Sequence, residues 1–251
     1  MESFWKWDKS KSWPPESITE LEDYTQTKRL SLFITQLPLK PHIQKKLVEA
    51  WCERLGKLEE VKYLWFTSRV NQKMFDAACN MPNLEGLWIK WSGIRRIDEI
   101  VKLNKLKHLH LGSSSKVESI DVLKQMNNLE TLELEQLNLI SDFSILSNLT
   151  QLRRLGIDGS IWTAQKIESL KPISKLVNLQ YLSTTNSKIQ DKSFEPLLGL
   201  ENLIRFNCSW NYPLEEFEKL KKMKNLKYGN VETSLKEIQT EVTKYYLENF
   251  Q

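Results

Sequence analysis

One hydrophobic phrase, L-x-x-L-x-L, recurs along most of this chain and restricts what it can fold into more than any other feature. It reads Leu84-Glu85-Gly86-Leu87-Trp88-Ile89, then Leu106-Lys107-His108-Leu109-His110-Leu111, then Leu129-Glu130-Thr131-Leu132-Glu133-Leu134. With substitutions it returns at Val61, Leu152, Leu179, Leu203 and Leu226, so successive starts lie 23, 22, 23, 23, 27, 24 and 23 residues apart. A unit this short cannot bury its own leucines. Copies at a fixed spacing must stack so that neighbours close one continuous core.

A second pattern fixes the register. Apolar residues stand nine, six and three places before each start: Ile97, Ile100 and Leu103 before one copy, Ile120, Leu123 and Met126 before the next. The same offsets select Phe75, Ala78 and Met81, then Cys52, Leu55 and Leu58. One step further back they select Ile18, Leu21 and Tyr24, ahead of a degenerate copy with Thr27, Leu30 and Leu32, which brings the count to nine. Spacing by three suits a 3-10 or short helical segment, in which every third side chain eclipses. The L-x-L alternation suits a strand with one buried face.

Over residues 18–233 the pattern resembles the leucine-rich-repeat family. The resemblance implies an α/β solenoid: a curved right-handed coil with a parallel β-sheet on the concave face and helical or 3-10 segments on the convex face. It also implies a non-enzymatic, protein-binding role. The family's turn asparagine, three places after the last strand leucine, is here mostly serine (Ser92, Ser114, Ser160, Ser187, Ser234). Only Asn211 keeps it and Leu137 breaks the position, so looser turns are expected.

Two places depart from the period. Ile43, Leu47, Trp51 and Leu55 follow i, i+4 spacing and predict a longer amphipathic helix near 43–55. Around 158–167 about four extra residues, Trp162 among them, enlarge one loop. We read residues 1–251 as one domain with protected ends. Residues 1–17, with Phe4, Trp5, Trp7 and Trp13, form an N-terminal capping segment, and 234–251 form a C-terminal capping helix.

Alternation places the third, fifth and seventh positions of each copy on the outward face of the sheet, with the eighth at the strand exit. Tyr63, Trp65, Trp88 and Trp91, bordered by His108 and His110, make an aromatic patch there; the alternative is that the helix near 43–55 or the Trp-rich N-terminal tail folds over and buries it. Glu133, Glu135 and Asp158 make an acidic centre beside Arg154, and Tyr181, Arg205 and Trp210 complete the candidate partner-binding set. Trp, Tyr and Arg are the side chains that most often anchor interfaces.

Other classes of function find little purchase. Thirty-six basic and 32 acidic residues leave a net charge of +4, and the Lys-rich stretch at 219–227 carries apolar residues at every third place, so we expect no nucleic-acid arm. No apolar run is long enough to span a membrane, and the start of the chain lacks a signal-peptide pattern. Cys52, Cys79 and Cys208 are too few and scattered for a disulfide framework, which points to the cytoplasm. No Gly-rich phosphate loop, nucleophile elbow or paired-Cys zinc spacing occurs. His108, His110 and Glu133 could be drawn as metal ligands, but no preorganised loop surrounds them, and neither metal nor cofactor is expected. The expected function is a scaffold that binds another protein, in one version an inhibitor or bacterial immunity protein occluding a basic toxin or effector. The alternative is a carbohydrate-binding module that stacks sugars on the Trp patch.

Overall fold

The computed structural model describes residues 14–231; the terminal caps expected at either end lie outside them. Nine strands form one parallel sheet in which each copy of the phrase contributes one strand: β1 (Arg29–Leu32), β2 (Tyr63–Phe66), β3 (Gly86–Ile89), β4 (His108–Leu111), β5 (Thr131–Glu135), β6 (Arg154–Asp158), β8 (Tyr181–Thr184), β10 (Arg205–Cys208) and β11 (Tyr228–Gly229). Two further strands, β7 (Gln165–Ile167) and β9 (Ser187–Ile189), pair with each other outside that sheet. Third positions align across the sheet: Arg29 with Tyr63, Tyr63 with Gly86, Gly86 with His108, His108 with Thr131, Thr131 with Arg154, Arg154 with Tyr181. The register matches the one the spacing predicts.

The leucine ladder is the core. Leu64, Leu87, Leu109, Leu132, Leu155, Leu182 and Phe206 are all buried in a single cluster running the length of the described chain. The spacing-by-three residues meet them from the other side. Five-residue 3-10 turns at Asp98–Lys102, Asp121–Gln125, Ser144–Asn148 and Lys171–Lys175 each bury one central side chain, namely Ile100, Leu123, Leu146 and Ile173. Near the ends this side becomes α-helical. Helix α1 (Pro41–Leu55) is the predicted long helix; Leu47, Val48, Trp51 and Leu55 face inward, whereas Ile43 is exposed and Cys52 only half-buried. Helix α2 (Gln72–Ala78) begins under Asn71, whose Oδ1 accepts from Met74 N at 3.0 Å, and α3 (Leu214–Leu220) closes the described coil. Strands pack about 4.8 Å apart while helical segments need more width, so the stack bends with the sheet on the inside.

The turns are not loose. Where the asparagine is replaced, other polar side chains tie the backbone. Ser68 Oγ accepts from the Ile34 and Thr35 amides at 3.1 Å each, and Ser92 and Ser114 share a buried hydrogen bond at 2.8 Å. Ser187 Oγ donates to Ile157 O at 2.6 Å, and Tyr212 Oη donates to Ser187 O at 2.9 Å. Asn211, expected to keep the family role, is instead exposed, and Tyr212 beside it does the work. A second series escaped the sequence reading. Asn83, Asn128, Asn178, Asn202 and Asn225, each immediately before a phrase, donate to the carbonyls of Glu59, Asn104, Thr150, Val177 and Glu201 in the preceding repeat.

Candidate binding face

The outward positions of the sheet do not form one uniform surface. Trp65, the residue expected at the centre of the aromatic patch, has 0% exposure. Trp65 therefore does not belong to an exposed patch: Tyr63 lies 6.3 Å away ring to ring, and the Arg29 guanidinium sits 5.5 Å over its ring. Ser17 crosses the same strand ends, bonded to Ser31 Oγ at 2.7 Å and Thr67 Oγ1 at 2.9 Å. His108 is likewise buried, at 7% exposure, with Nδ1 3.2 Å from Thr131 Oγ1. Burial pushes its pKa down to about 3, so it stays neutral.

Further along, outward side chains stay accessible and organised. Trp88 stacks on His110 at 5.1 Å with planes 13° apart, and His110 Nδ1 lies 2.9 Å from Glu133 Oε2. Trp91 is half-buried, with Lys90 Nζ 5.0 Å over its ring. Trp210 packs on Phe217, 5.1 Å away, so it belongs largely to the core and stands apart from the others.

The candidates that do converge surround a hollow of about 390 Å³ lined by His110, Glu133, Glu135, Arg154, Asp158, Tyr181 and Arg205. Its floor is Gly156, a fifth position without a side chain between Glu133 and Ser183 on the flanking strands. A Cβ there would stand 3.1 Å from Asp158 Oδ2 and 3.6 Å from Glu133 Cγ. The hollow is polarised along the strands. At the strand entrance the Arg154 guanidinium covers Tyr181 at 4.8 Å and Arg205 covers Tyr228 at 5.1 Å. At the exit Glu135 faces Asp158. Asp158 accepts from Ser183 Oγ and Thr185 N at 2.7 Å each, yet burial, with Glu133 and Glu135 nearby, raises its pKa to about 6. A second, shallower hollow of about 290 Å³ lies between Tyr63, His108, Arg154 and Tyr181.

Among the described residues His110 is the only histidine paired with a carboxylate. Among the described residues no three His, Cys, Asp or Glu side chains are grouped to hold a metal ion, and no helix is long and apolar enough to cross a membrane. Cys52, Cys79 and Cys208 are free thiols; burial raises all three, Cys52 to about 11, which disfavours the thiolate form.

No protein-family model and no curated protein matches the sequence. Among solved structures the chain is similar to internalin C2 of Listeria monocytogenes, with a TM-score of 0.52 and 23% identity over 69% of this chain and 72% of that one. It is also similar to a leucine-rich-repeat protein of Leptospira interrogans, with a TM-score of 0.55 and 16% identity over 84% of this chain but only 51% of that one. The fold is the leucine-rich-repeat solenoid.

Proposed function

We propose that this chain is a non-enzymatic scaffold that binds another protein on the strand-lined face, and that it acts as an inhibitor that occludes a basic effector. The observation that carries this reading is the hollow over Gly156. The sheet face there is open, and large charged and aromatic side chains stand around it in fixed positions. Such side chains, held before the partner arrives, reduce the ordering cost of association. The acidic exit side favours a basic partner and speeds its encounter. Free thiols fit a reducing compartment and support a cytoplasmic setting. The sugar-stacking alternative is weakened, because the ring of Trp65 has no exposed face.

The test is site-specific photo-crosslinking in cells of the source organism. A benzophenone side chain replaces Thr185, exposed at the strand exit, or Lys124, exposed on a 3-10 turn of the opposite side. A protein adduct from position 185 alone is the expected result. Adducts from position 124 alone would move the binding surface to the helical side, and binding on a glycan array abolished by Trp88→Ala would favour the sugar reading.

A further inference from the structure

The turn after β6 is where the repeat lengthens, and there Ile161 and Trp162 stand 80% and 88% exposed. The packing of the coil gains nothing from either side chain. The turn that carries them is nevertheless braced. Ser160 N donates to Thr163 O at 2.9 Å, and Ser160 Oγ accepts from Trp162 N at 3.3 Å and Thr163 N at 3.1 Å. Gly159 N donates to Thr185 O at 2.9 Å, and the backbone comes so close that a Cβ on Gly159 would lie 2.0 Å from Asn186 O. The chain then returns as β7, locked to β9. An indole is thus held out into water on a fixed stem.

That stem is also the rim of the hollow, because Gly159 lines it. On the same exit side Glu135 and Asp158 lie opposite each other, and among the described residues neither has an ion-pair partner, whereas Glu133 is engaged by His110. Asp158 takes both of its hydrogen bonds on Oδ1, which leaves Oδ2 over the Gly156 floor. Two adjacent carboxylates without a cation, both partly buried, lack a charge that would offset their desolvation.

We propose that the hollow and the Trp162 turn form one continuous interface, and that its occupant is a partner-protein segment bearing a basic side chain for Glu135 and Asp158 beside an apolar or aromatic residue for Trp162. This deepens the binding-face reading above and rests on it. A guanidinium over Gly156 meets two carboxylates with charge-assisted hydrogen bonds. An apolar neighbour takes the indole face from water, and a rigid Trp is the kind of anchor on which interface energy concentrates. An acidic segment would meet like charge, and a sugar would supply no cation.

The probe is a phage-displayed random dodecapeptide library selected on the full chain, with the strongest sequence then synthesised for fluorescence polarisation. Enriched peptides are expected to place Arg or Lys near an aromatic or aliphatic residue. Affinity should fall at least about tenfold with Trp162→Ser and a similar amount with Glu135→Gln, the second loss shrinking at about 0.5 M salt. Both substitutions are at accessible positions, and circular dichroism confirms that the variants are folded. Peptides that bind both variants unchanged but lose affinity on Trp88→Ala would overturn this interface and leave the broader binding-face reading intact. Enrichment of acidic peptides would overturn it too, and a library that yields no binder would overturn both readings.

Discussion

Gln165 fills the gap left by Leu137. Its Oε1 accepts from Leu137 N at 2.7 Å, and its Nε2 donates to Ile140 O at 2.7 Å and Leu137 O at 3.3 Å, all beneath the surface. The turn at Leu137 has no polar side chain of its own in this place, and the next repeat supplies one. Gln165→Leu keeps the volume and strands these groups, so unfolding should become easier by about 2–4 kcal/mol. Scanning calorimetry should show a melting temperature lower by about 4–16 °C. Asn211→Ala, at the exposed family position, is the control and should melt with wild type; equal melting of both variants would remove Gln165 from this role.

Trp65 and Trp162 should separate stability from binding. Trp65→Ala opens a cavity at a fully buried site and should cost about 3–5 kcal/mol in a urea titration. Trp162→Ala alters an exposed tip and should stay within about 0.5 kcal/mol. An unchanged midpoint for Trp65→Ala would return that side chain to the surface.

Thr184 occupies a ladder position that leucine, isoleucine or phenylalanine fills in earlier repeats, and its buried Oγ1 has no hydrogen-bond partner among the described residues. Replacing it with Val removes an unpaired hydroxyl without changing shape. Thr184→Val should stabilise the protein by about 1 kcal/mol, a rise of about 2–4 °C in melting temperature. A lower melting temperature would mean that the hydroxyl is satisfied.

Asp158 and His108, both shifted by desolvation, should give opposing pH dependence. Asp158 titrates near 6 when folded, above its ordinary 3.8, so the folded state binds the extra proton between these values; its contribution is favourable below that window and is lost as pH rises through 6. His108 is lowered from 6.5 to about 3, so the unfolded state binds the proton, and stability drops as pH falls below 6.5. Relative to wild type, Asp158→Asn should gain most above pH 6 and His108→Gln most below it. Melts at half-unit intervals from pH 4 to pH 8 would show the two difference curves sloping oppositely, and parallel curves would contradict both assignments.

Sequence periodicity made the ladder, the strand register and the long helix at α1 legible, because each depends on spacing within one or two repeats. It placed Trp65 on the outward face but could not reveal that the face is covered there, since the cover depends on what crosses the strand ends. The acidic centre was legible as composition; the hollow depended on Gly156, whose missing side chain acts through its neighbours on β5 and β8. The Asn series stands in the sequence as Asn-Leu at the head of five phrases, but its bonds to the preceding repeat depend on how the turns stack, which spacing alone does not show. Gln165 left no such signal, since it reaches 28 residues back from within an insertion.

The mixed ties between turns also bear on how such a chain can change in length. A solenoid of identical repeats can gain or lose a unit by duplication or deletion, because every joint fits every other. Here Ser92 is matched to Ser114, Leu137 to Gln165, and Ser187 to Tyr212. Excising the unit that carries Ser114 would set the Ser92 hydroxyl against the Leu137 side chain, which cannot replace the Ser114 hydroxyl as its partner. The repeats look interchangeable along the leucine ladder, but their joints are keyed, so removing an inner unit mismatches a pair.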